Sequence, residues 1–169
     1  MANLSKATLQ GADFSGTYSD DRIDAQARSR MHDISLIIAA DMAGVGDPGD
    51  DDQIAERLAD WSNEAIGELR QLSPLHEYGL ALTYEADEEN DGQNAHFCWL
   101  LSTGGPHEEI RFFVNEAFRL QRAEFVFKGW SDAACVELAG DHIGTLRDLW
   151  NSWRDCELPQ HLIEQARKR

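Results

Sequence analysis

Hydrophobic positions change their spacing twice along the chain, and each change marks a new kind of element. Over 19–43, Ile23, Ala27, Met31, Ile34, Ile37 and Ile38 recur at intervals of three and four. This spacing predicts a helix, with Ser19 or Asp20 placed to cap it and Gly44 to stop it. Gly44-Val45-Gly46-Asp47-Pro48-Gly49 reads as a turn-rich break. A second helix is expected over 52–72, ending before Pro74, with Ile54, Leu58, Trp61, Ala65, Leu69 and Leu72 along one face. The period then falls toward two and β-branched and aromatic residues gather, predicting strands at 78–85, 95–103, 109–115 and 122–128. The links between them are short: one holds Asp91-Gly92, the next Gly104-Gly105-Pro106, and the third runs from Asn115 to Leu120. Such strands form an antiparallel meander. The helical period returns after Asp141, read as a cap, with Ile143, Leu146, Trp150 and Trp153 as the apolar stripe; Pro159 opens a last short helix.

These elements predict an α+β fold, a four-stranded antiparallel meander packed against two N-terminal helices and one or two C-terminal helices. Residues 19–169 are expected to form one domain, preceded by an arm over 1–18. At 169 residues with 42% hydrophobic content, the chain is long enough to bury a core without disulfides or metal. Five tryptophans and seven phenylalanines argue against disorder. No stretch has the apolar length of a membrane span, and MANLSKATLQ lacks the apolar core of a signal peptide. A cytoplasmic location is therefore expected, and Cys98, Cys135 and Cys156, an odd number without repeated spacing, are expected as thiols.

Charge changes the picture most. The net charge is −16, and it is concentrated in 41–91, where fifteen acidic residues face two basic ones, Arg57 and Arg70. Self-repulsion at this density opposes compaction, so the excess points to a cationic partner. It also argues against direct binding to nucleic acid or an anionic membrane. On the expected second helix, Glu56, Asp60, Glu64 and Glu68 fall four apart, which would set carboxylates about 6 Å apart along the axis, a spacing comparable with backbone phosphates. A solvated acidic face with Asp50, Asp51, Asp52 and Glu56 near a helix N-terminus is the plainer explanation. It does not cover Glu85, Asp87, Glu88, Glu89 and Asp91, five carboxylates in seven residues of a hairpin tip.

Catalytic and metal motifs give little. Asp87-Glu88-Glu89-Asn90-Asp91-Gly92 starts like a calcium loop, but Cys98 stands where the bidentate Glu is needed. His32-Asp33 and Asp141-His142 lack companion ligands, and His96, Cys98, His107, Cys135 and Cys156 include no CxxC or HxxxH element. No phosphate loop, G-x-G-x-x-G or G-x-S-x-G is present. No metal or cofactor is expected.

Two segments carry resemblances. Ala2-Asn3-Leu4-Ser5-Lys6, Ala7-Thr8-Leu9-Gln10-Gly11 and Ala12-Asp13-Phe14-Ser15-Gly16 resemble the pentapeptide-repeat family, whose units wind into a square β-helix and some of whose members are acidic DNA mimics. Three units fall short of one coil, so a terminal arm resting on the main domain through Leu4, Leu9 and Phe14 is expected instead. Phe97-Cys98-Trp99-Leu100-Leu101-Ser102-Thr103-Gly104-Gly105-Pro106, Ile110-Arg111-Phe112-Phe113-Val114 and the aromatic motif ending in Trp130 resemble a group of small phage, plasmid and mobile-element proteins with an LS(T/W)GGP turn. The resemblance implies an anti-defence role, antirestriction or anti-CRISPR. Gly104-Gly105-Pro106 itself reads as a hairpin device.

The expected function is that of an acidic, non-enzymatic inhibitor binding the nucleic-acid-binding surface of a host defence complex, a CRISPR effector or restriction enzyme, as a DNA mimic. The residues expected to meet this basic partner are Asp47, Asp50, Asp51, Asp52, Glu56, Asp60, Glu64, Glu68, Glu85, Asp87, Glu88, Glu89 and Asp91. Two alternatives stand beside it: a small mobile-element enzyme using His96, His107 or Cys98 near the GGP hairpin, and an immunity protein for a basic toxin.

Overall fold

The structure, a computed structural model, describes residues 20–87, 94–129 and 133–168. The pentapeptide-like arm, the hairpin tip with Glu88, Glu89 and Asp91, and Trp130 lie outside the described residues. The fold is α+β, with five helices and one five-stranded antiparallel sheet among the described residues. The chain divides into two compact units: Met1–Ala25 with Gly79–Arg169, and Gln26–Tyr78.

The unit Gln26–Tyr78 is helical. Helix α1 (Asp20–Met42) enters it from the other unit and ends before Gly44, whose φ of +86° suits glycine at a helix stop. The stripe read from the sequence is buried throughout, from Ile23 through Met31 and Ile34 to Ile38. The second helix does not form as one piece. Helix α2 (Asp51–Arg57) closes at Leu58, and helix α3 (Asn63–Leu69) restarts after Ser62, whose Oγ accepts a hydrogen bond from the Ala65 amide at 3.1 Å. A serine that satisfies a helix's first amides favours a new start over continuation. The apolar positions survive the break, because Ala40, Val45, Ile54, Leu58 and Leu69 close into one core, with Trp61 and Ile66 packed against it.

The sheet belongs to the other unit. Its strands are β1 (Ala81–Glu85), β2 (His96–Ser102), β3 (His107–Val114), β4 (Leu120–Lys128) and β5 (Ala133–Leu138), each paired with its sequence neighbour. The expected meander holds, with five strands where four were expected. Strand β5, Ala-Ala-Cys-Val-Glu-Leu, has one β-branched residue and so carries a weak strand signal. Between β2 and β3, Gly104 and Gly105 take φ of +93° and +113° ahead of a cis Gly105–Pro106 bond, so this segment is the expected hairpin.

Because side chains alternate across a strand, one face collects Phe97, Trp99, Ile110, Phe112, Ala123 and Phe125, which sit opposite one another in register. Helix α4 (Asp141–Asp155) supplies the cover. Trp150 is fully buried, its ring 4.9 Å from Phe97 and 5.5 Å from Phe112, while Trp153 meets Trp99 edge-on at 5.4 Å. Each such pair adds about 0.5–1.5 kcal/mol beyond simple burial. The Trp150 indole N–H donates to the Phe118 carbonyl at 2.8 Å, so the large ring is buried without an unsatisfied donor. Gly140, at φ +60°, holds the N-cap position, and Asp141 is the first helical residue, not the cap that was expected. Helix α5 (Leu158–Ala166) carries Pro159 in its first turn and lies against α4 and β1.

Two glycines separate backbone strain from helix propensity. At Gly79, φ is +87° and a Cβ would stand 2.5 Å from Trp99 Nε1 and 3.2 Å from the Leu100 carbonyl; at Gly67, inside α3, it would meet nothing within 4 Å. Gly79→Ala is expected to lose about 1–3 kcal/mol in urea unfolding. Gly67→Ala is expected to gain about 0.5–1 kcal/mol in the same measurement.

Candidate functional site

Building the acidic surface residue by residue separates carboxylates with structural work from those without it. Asp47 Oδ1 accepts the Gly49 amide at 2.8 Å and shapes the turn before α2. Asp50 is the N-cap of α2, accepting the Gln53 and Asp52 amides at 3.0 Å and the Gln53 side chain at 2.8 Å. The Gln53 amide bond is the first reason its carboxyl is held below the ordinary range. Asp51 pairs with Arg70 at 2.5 Å, linking the start of α2 to the end of α3, and Glu68 lies 2.8 Å from His32 Nε2. Both pairs are largely exposed, a setting in which an ion pair contributes about 0–1 kcal/mol.

Asp52, Asp60 and Glu64 are exposed and hold no ion pair among the described residues, and Glu56 has only Arg57, its exposed neighbour, at 3.8 Å. The break between α2 and α3 corrects the expected ladder of four. Glu56 belongs to α2, Asp60 to the connecting turn, and Glu64 and Glu68 to α3, so the helical rise of about 6 Å relates only Glu64 to Glu68 and the ladder does not extend to Glu56 and Asp60. The charge itself remains: Gln26–Tyr78 holds eleven acidic and four basic residues, a net −7. Glu85 and Asp87 belong to the other unit. Glu85 is exposed at the end of β1, and Asp87 accepts the Asn94 amide at 2.8 Å across the base of the β1–β2 hairpin.

A second assembly of charge, which the sequence reading did not single out, occupies the other face of the sheet. Glu109, Arg111 and Glu124 are only 4%, 6% and 2% exposed. Glu109 Oε1 accepts from Arg111 at 2.6 and 2.7 Å and from Lys128 at 3.4 Å, while Oε2 lies 2.5 Å from His107 Nε2. Burial alone would raise the Glu109 carboxyl. The His107 hydrogen bond and the charges of Arg111 and Lys128 outweigh it and hold the group down at about 2. Glu124 pairs with Arg122 and accepts the Cys135 thiol at 3.4 Å, and Arg122 stacks 3.5 Å over the Phe113 ring. A signal for this face was present in the sequence: His107, Glu109 and Arg111 are two apart, as are Arg122 and Glu124.

The same surroundings decide what the candidate nucleophiles can do. Burial, followed by the Glu109 charge, pushes the Cys98 thiol up to about 12; burial and Glu124 do the same to Cys135. Neither supplies a thiolate near neutral pH. His96 is lowered by burial, with its Nδ1 against the Asn94 carbonyl at 2.8 Å, and His107 is engaged by Glu109. Among the described residues no group of three His, Cys, Asp or Glu could hold a metal ion, and no helix is long and apolar enough to cross a membrane. Comparison with known proteins found no matching family, no similar curated protein and no similar solved structure.

Two measurements test this electrostatics. Glu109 stabilises the fold fully above the ordinary carboxyl value of 4.5, and that contribution fades as pH falls toward about 2. Glu109→Gln, which leaves Arg111 and Lys128 facing a neutral amide, is expected to lower the urea midpoint at pH 7 and to flatten its fall between pH 4.5 and 2; parallel profiles would contradict the assignment. In thiol labelling of the native protein at pH 8, exposed Cys156 is expected to react first. Cys98 and Cys135 should follow only on unfolding, and prompt labelling of all three would overturn the shifts.

Proposed function

We propose that this protein is a non-enzymatic inhibitor that docks through the acidic surface of Gln26–Tyr78 onto a lysine- and arginine-lined surface where a partner protein binds nucleic acid. The observation that carries the reading is the excess of eleven acidic over four basic residues in this folded unit, with Asp52, Glu56, Asp60 and Glu64 presented to solvent. Charge of one sign on a rigid surface accelerates encounter with a complementary partner and repels nucleic acid. The resemblance of the LSTGGP sequence segment to small mobile-element proteins is the ground for naming a host defence complex as the partner: a CRISPR effector or a restriction enzyme. Mimicry here rests on charge density, because Glu56, Asp60 and Glu64 do not share one helix. The enzyme alternative draws no support from Cys98, which is protonated near neutral pH, or from His107, which is tied to a buried carboxylate.

The test is capture of defence complexes from a lysate by the tagged protein, with and without excess double-stranded DNA. Capture that DNA displaces, and that weakens with rising salt, is the expected result. Replacing Glu56, Asp60 and Glu64 together by lysine is expected to abolish it while leaving the circular dichroism spectrum and urea midpoint close to the parent. Unchanged affinity of the triple variant at physiological salt would sink the proposal. Capture of a basic toxin that DNA does not displace would replace it with the immunity-protein reading.

A further inference from the structure

We draw no further inference here: the strongest candidate, the cluster of His107, Arg111 and Lys128 around Glu109 on the charged face of the sheet, is closed on itself, since each of these side chains is already engaged by that one buried carboxylate.

Discussion

Strand β3 has to be compatible with two unlike environments at once, and the sheet is organised around that demand. Ile110 and Phe112 enter an aromatic layer beneath Trp150 and Trp153, while Glu109 and Arg111 leave the opposite side. A one-residue slip of register would put Glu109 against tryptophan rings and take Phe112 away from them. Both errors are costly, since an unpaired buried charge and a lost aromatic contact each outweigh the worth of an ordinary surface interaction. The strand's alternation therefore specifies its neighbours on both sides, β2 through Trp99 opposite Ile110 and β4 through Phe125 opposite the same residue.

Buried ion pairs need not add net stability, because removing charge from water offsets much of their attraction. The aromatic layer supplies the favourable burial, and once the charged face is buried, removing one partner from it leaves the others uncompensated. The other unit distributes its charge differently. Most of its carboxylates stay in solvent, where they cost little to keep ionised, and several are occupied in capping or in exposed pairs.

The elements were legible wherever period and punctuation agreed. The α1 stripe, the meander and the GGP hairpin could all be read from spacing and glycine placement. The second helix could not, because its apolar period runs unbroken through Ser62; the hydrogen bond that the Ser62 hydroxyl oxygen accepts from the Ala65 amide, which periodicity does not register, marks the new start. Strand β5 was hidden by its alanines, which pack on a sheet without announcing a strand. At the site, exposure of Asp52, Asp60 and Glu64 followed from their polarity, whereas the work of Asp50 and Asp51 depended on the helix start and on Arg70 nineteen residues away. The Glu109 cluster was written as alternating charge in two strands, and became meaningful only once register set them side by side.

The order β1-β2-β3-β4-β5 also governs how the sheet can arise during folding. Every strand meets a partner that precedes or follows it in sequence, so each pairing closes a short loop and the chain entropy lost at each step is small. Hairpins can therefore add one after another as the polypeptide emerges, with no strand waiting for a distant segment. The last strand completes the sheet just before α4 brings Trp150, so the aromatic cover is made only after the surface it must cover exists.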